Sequence, residues 1–239
     1  MFFPIRDDQP RFSKPFINYF IIALNLVVFM FVELPIQAQG PRAMNLLIEQ
    51  FGLIPHDLTR AIAGVPQYPL GANILTILTS MFLHGGWFHI LGNLWFLYIF
   101  GDNIEDHMGH LPYLVFYLVC GIAAALTDIA LAPTSNVPTV GASGAIAGIM
   151  GAYIVLYPRA RVQTLVVLIV FFTFWWLPAW VFLGYWFLLQ FVATTVTASG
   201  AHHQTGGIAF AAHVGGFVAG LLLIKVFPRR RVAQRYASW

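Results

Sequence analysis

The chain has 239 residues, of which 59% are hydrophobic, 16% aromatic and only 9% charged, with a formal net charge of +3. A soluble domain carries roughly 25% charged residues, so this composition excludes a water-covered globular protein and predicts a polytopic membrane protein of one domain. The lone cysteine, Cys120, lies in an apolar run, which excludes an intramolecular disulfide framework and reads as a packed core thiol.

Residues 1–15 (MFFPIRDDQPRFSKP) are polar and read as a cytoplasmic N-terminal segment, because the apolar run that follows is long enough to span rather than to serve as a cleaved leader. A helix needs about 20 apolar residues to cross the hydrocarbon. Runs at 16–34, 74–101, 111–131, 143–157 and 207–227 meet or approach that length. The intervening stretch 35–73 is a long external loop, and its apolar AMNLLIEQFGLI predicts short helices at the outer leaflet. The region 164–197 contains Pro178. Proline is tolerated best in a first helical turn, so the fifth span is expected to start there. That leaves TLVVLIVFFTFWWL too short to span alone, and it is expected to run along or dip into the membrane. The expected fold class is an all-α bundle of six transmembrane helices over residues 16–227, with a basic cytoplasmic tail at 228–239. Charge sets its orientation: with the N-terminus inside, ten Lys and Arg face the cytoplasm (Arg6, Arg11, Lys14, Arg159, Arg161, Lys225, Arg229, Arg230, Arg231, Arg235) against Arg42 and Arg60 outside. Both termini are therefore assigned to the cytoplasm.

Polar side chains at membrane depth are costly and mark function. His89 and Asn93 in the second span, Ser143 in the fourth and His213 in the sixth meet that description, with His84 just above His89. Counting about 20 residues back from the cytoplasmic ends at Gly101, Tyr157 and Phe227 puts His89, Ser143 and His213 in one layer, roughly 7–11 Å below the outer boundary. On the fourth helix Ser143, Ala147 and Gly151 share a face, flanked by Gly144 and Gly148. On the sixth, His213, Gly216 and Gly220 share one. Small-residue faces on parallel helices approach closely, and aligning these two brings His213 beside Ser143. The fourth helix is about 22 Å long from Ser143 to Tyr157, shorter than the core it crosses. Its N-terminus, with free N–H groups, thus begins inside the membrane.

A serine beside a histidine is a minimal activated nucleophile. A soluble triad adds an orienting carboxylate; Asp128 reads as an interfacial residue, so the expectation is a dyad. The oxyanion donors available are the Ser143 backbone N–H and the side chains of His89 and Asn93.

At HGGWFHILGN (His84 to Asn93), GASGAIAG (Gly141 to Gly148) and AHVGGFVAG (Ala212 to Gly220) the chain resembles the rhomboid family of intramembrane serine proteases. The resemblance implies that Ser143 is the nucleophile, His213 the general base, and His89 and Asn93 part of the oxyanion hole. The substrates it implies are membrane proteins cleaved in or near a transmembrane segment, entering past the fifth helix, where Trp175, Trp176, Phe182 and Trp186 are gate candidates. Many relatives carry a Trp-Arg pair in the first external loop, whereas residues 35–73 here contain no tryptophan. The bilayer is the expected surrounding, and short loops point by resemblance to a bacterial inner membrane. The rivals are weaker. No H-E-x-x-H motif supports metal-dependent proteolysis, and neither a metal nor another cofactor is expected; binding of a metal or haem by His84, His89 and His213 would leave Ser143 without a purpose. The tail arginines read as lipid contacts rather than a nucleic-acid site. A catalytically inactive relative that binds membrane protein clients is the alternative from another class.

Overall fold

The computed structural model describes residues 2–168, 171–198 and 209–230. It is mostly helical. Helix α1 (Phe16–Val28) runs through a π turn at Phe29–Glu33 into the short α2 (Leu34–Gln37), giving one apolar stretch of 22 residues. The segment that follows contains α3 (Pro41–Phe51) and α4 (Pro55–Ile62), each opened by a proline in its first turn, where a missing N–H costs nothing. Next come α5 (Leu70–Thr79), α6 (Trp87–Met108), α7 (His110–Leu131), α8 (Ser143–Leu156), α9 (Ala179–Ala198) and α10 (Phe210–Leu223).

The structure corrects the expected second span. Residues 74–101 are not one helix: α5 and a 3-10 turn at Ser80–Phe82 meet α6 at a 79° bend, and α6 continues to Met108. The break falls at Leu83–Gly86, where two glycines adjoin and Gly86 has a φ of 152°. Among the described residues, three helices are long and apolar enough to cross a membrane by length and composition, or four with the bent pair counted as one; α8 and α10 are shorter apolar helices. The tail beyond Arg230 and the start of the sixth run lie outside the described residues.

A buried carboxylate ties together neighbouring ends of three helices. Glu105 of α6 accepts the N–H groups of Ile17 (3.0 Å) and Asn18 (2.7 Å), two of the free amides that open α1. The Asn18 side chain in turn donates to Leu97 O of α6 and accepts from the Tyr113 hydroxyl of α7 at 2.7 Å. These hydrogen bonds between helices fix α1 and α7 against α6.

The all-α expectation also needs correction. Strands β1 (Phe2–Asp7), β2 (Arg161–Leu168) and β3 (Phe171–Pro178) form an antiparallel sheet in the order β1-β2-β3. The residues expected to run along or dip into the membrane form most of its central and outer strands. Their Val, Thr, Phe and Trp content favours a pleated surface over a helix. Helix α9 starts directly after Pro178, where the fifth span is expected to begin, and the proline closes β3. The first amides of α9 find carbonyls in the turn between α8 and β2, Ala179 N–H to Ala160 O (2.8 Å) and Trp180 N–H to Pro158 O (3.2 Å). Strand β1 bridges two helices: Trp95 of α6 donates its indole N–H to Pro4 O at 2.7 Å, and Phe2 meets Tyr185 of α9 edge to face.

At its inner end β1 is held by a hydrogen bond from the Tyr153 hydroxyl of α8 to the Asp7 carboxylate. Burial, reinforced by Asp102 and Asp8, pushes the Asp7 carboxyl up to about 7. An acid whose pKa is raised on folding is most favourable to the seated strand when protonated. Seating of β1 is therefore expected to weaken as pH rises from about 4 to about 7, and to change little above that. Hydrogen exchange of the β1 amides across this range should show falling protection, after correction for intrinsic exchange, and Asp7→Asn should flatten the profile.

Candidate active site

Helix α8 begins at Ser143, immediately after Gly141, whose φ is 123°, and Ala142. Gly141 is required twice over. That φ strains any L side chain, and a Cβ there would lie 2.6 Å from His89 Nε2. The tight turn thus delivers Ser143 to a helix N-terminus, next to α6.

Helix α10 lies parallel to α8 at backbone contact. A Cβ on Gly216 would fall 2.0 Å from Gly144 O, and one on Gly220 would fall 1.8 Å from Gly148 O. The stripe that meets α10 is therefore Gly144, Gly148 and Gly151, the last packed against Phe217 O. Helix α7 closes the other side, with Ala124 and Cys120 filling the space beside Gly144 and Gly148. Cys120 is a buried free thiol.

This packing sets His213 Nε2 2.7 Å from Ser143 Oγ. The other ring nitrogen, Nδ1, lies 2.8 Å from Gln190 Oε1 of α9, and the ring lies beside Trp186, with centroids 5.7 Å apart. Asp128 takes no part: it is buried and accepts the Thr139 hydroxyl at 2.7 Å. The sequence reading does not single out Gln190, although one amide in the apolar run of α9 carries the same signal that marks His89 and Asn93.

His89 and Asn93 face the same space from α6. The Gly85 N–H donates to His89 Nδ1 at 3.3 Å, so the neutral ring carries its proton on Nε2, the atom nearest Gly141. Asn93 Nδ2 is a buried donor with no partner among the described residues. Together with Ser143 they line a cavity of about 540 Å³, which Trp186, Gln190 and His213 also border. His84 is fully buried, with its backbone N–H donating to Glu33 Oε2 at 2.7 Å and its ring 5.1 Å from that of His89. Glu33 is a second polar residue that the hydropathy pattern hides, since it closes an otherwise apolar run. The four aromatic gate candidates separate. Trp186 borders the cavity and Phe182 is buried against Phe96 and Phe100, whereas Trp175 and Trp176 belong to β3. Among the described residues, no three His, Cys, Asp or Glu side chains cluster to hold a metal.

A family model described as the Rhomboid domain matches residues 71–230, which include every residue of this cavity. The chain belongs to the rhomboid family. It is an integral membrane protein. Its similarity to individual rhomboids is partial. It is 41% identical over 71 residues to rhomboid-like protein 11, chloroplastic, of Arabidopsis thaliana, covering 30% of this chain and 25% of the relative. It is 30% identical over 153 residues to rhomboid protein 1, mitochondrial, of Saccharomyces cerevisiae (62% and 40%). It is 30% identical over 149 residues to rhomboid protease GluP of Bacillus subtilis (62% and 26%). The rhomboid chain thus matches well under half the length of these relatives. Because they include chloroplast, mitochondrial and bacterial proteins, the likeness does not support the bacterial inner membrane over another compartment.

The backbone contact between α8 and α10 makes a sharp forecast. Gly220→Ala puts a methyl group where Gly148 O lies, and overpacking of this kind costs about 1–3 kcal/mol or more. We expect a lower melting temperature. Gly184→Ala, on α9 with open space around its Cα, should leave it unchanged or raise it slightly. Thermal unfolding of the two variants in detergent makes the comparison.

Proposed function

We propose that the chain is an intramembrane serine endopeptidase in which Ser143 and His213 act as a catalytic dyad. The observation that carries this reading is the 2.7 Å contact between Ser143 Oγ and His213 Nε2, inside a cavity bordered by three further polar side chains, His89, Asn93 and Gln190. His213 accepts the hydroxyl proton as Oγ attacks the scissile carbonyl, and returns it to the leaving amine as the tetrahedral intermediate collapses. A water then repeats the sequence on the acyl-enzyme and frees Ser143. The oxyanion is held by the Ser143 backbone N–H at the start of α8, His89 Nε2–H and Asn93 Nδ2. An unpartnered Asn93 amide beside the nucleophile fits that task, because its missing acceptor is what the intermediate supplies.

The topology that goes with this reading has six spans over residues 16–227, both termini in the cytoplasm and 228–239 as a basic tail. Under it, α8 and α10 are the short fourth and sixth spans, and Ser143 lies below the outer surface, where a substrate's transmembrane segment can reach it. Substrates are accordingly single- or multi-span membrane proteins that enter past α9. The relatives named as proteases support this class of activity.

Cleavage of a single-span test protein in proteoliposomes tests the proposal. Wild type is expected to cut it, and Ser143→Ala and His213→Ala to fall to background. Asn93→Ala should lose about 10²–10³ in kcat, as removal of one oxyanion donor does. A folded wild type that binds such segments without cutting them would instead make the chain a binder of membrane clients.

A further inference from the structure

Gln190 occupies the place where soluble serine proteases put a carboxylate. We infer that it is the positioning residue of the dyad, holding His213 in the tautomer that can act as a base; this rests on the catalytic reading above. The two nitrogens of a neutral imidazole are not equivalent, since one carries hydrogen and the other a lone pair. Oε1 of Gln190, 2.8 Å from Nδ1, has only lone pairs to offer, so Nδ1 must carry the hydrogen. Nε2 then holds the lone pair, which is what Ser143 Oγ needs at 2.7 Å. In the opposite tautomer Nε2–H would donate to the serine and could not take its proton. The rings of Trp186 and Phe210, with centroids 5.7 and 6.4 Å from that of His213, offer it no acceptor, and Asp128 is committed to Thr139.

An amide also suits the surroundings. A carboxylate at this depth would carry the cost of a charge in the membrane, whereas the amide fixes the tautomer and stays neutral. Its position on α9 has a consequence for the reaction. Ser143 belongs to α8 and His213 to α10, so a third helix sets the protonation pattern of the pair. Helix α9 is the least buried of the three long apolar helices, 17% against 22% and 39%. The base is competent while α9 is seated, and it loses its acceptor when α9 moves away.

The test compares wild type with Gln190→Leu and Gln190→Glu in detergent, using the single-span test protein. Gln190→Leu is expected to lower kcat by about a hundredfold, the low end of what a positioned base contributes, with KM within about twofold. Gln190→Glu keeps an acceptor and should recover most of kcat. It should also move the acidic limb of the kcat/KM profile to higher pH, because a carboxylate beside the ring favours the imidazolium. The same proteins labelled with 15N-histidine report the tautomer directly, His213 being identified by its loss in His213→Ala. Wild type should show Nδ1 protonated and Nε2 bare, and Gln190→Leu should lose that pattern. The inference is overturned by a Gln190→Leu kcat within twofold of wild type, by equal losses in Leu and Glu variants, or by a wild-type Nε2–H tautomer. A wild type that does not cleave removes the catalytic reading, and the nitrogen spectrum then decides the role of Gln190 separately.

Discussion

Where α8 crosses α10, the Gly148 carbonyl and the Cα of Gly220 share a space with no room for a methyl group, and the Gly144–Gly216 pair repeats the contact one turn away. In hydrocarbon no hydrophobic force drives helices together, so close van der Waals contact between small residues does much of that work. Two such contacts a turn apart set distance and axial register together. One turn beyond Gly216, toward the helix N-termini, lie His213 and Ser143, and the 2.7 Å spacing between them follows from the glycine contacts below. Longer side chains at these positions would separate the helices by more than a hydrogen bond can reach.

Around that contact, polar groups are shared between elements. Glu105 caps α1, Asn18 joins α1 to α6 and α7, and Trp95 donates to the backbone of β1. Such pairing is what a membrane protein needs wherever water cannot serve as partner. Several buried polar atoms lack a partner among the described residues: Asn93 Nδ2 at the cavity, both ring nitrogens of His84 and one oxygen of Glu33 behind His89, and Asn25 Oδ1, Asn103 Oδ1 and the Tyr117 hydroxyl elsewhere among the helices. Of these, only Asn93 Nδ2 belongs to a side chain that borders the cavity with Ser143. The sheet adds a constraint on α9, because β3 runs directly into it and β1 touches both α6 and α9.

The juxtaposition of Ser143 and His213 was legible in the sequence, because small residues recur at helical spacing on both partners and the histidine falls on the same face as its glycines. The long helices were legible from apolar length alone. Two things were not. The bend at Leu83–Gly86 lies inside a run whose hydropathy is continuous, and hydropathy does not register a change of direction; only the adjoining glycines hinted at it. The sheet was hidden for a related reason. TLVVLIVFFTFWWL is apolar on both faces, so it lacks the alternation that announces a half-buried strand, and its partner β1 lies some 160 residues away within a segment dominated by its charges. Gln190 was missed because a single amide in a strongly aromatic helix draws little weight until its partner is seen.

The proposed chemistry requires that helix packing turn Ser143 into an activated nucleophile. Treating the purified protein with a fluorophosphonate and locating the adduct by peptide mass tests it most directly. One adduct is expected, on Ser143, with labelling lost in His213→Ala. An adduct on another residue, or labelling of Ser143 at an undiminished rate without His213, would contradict it.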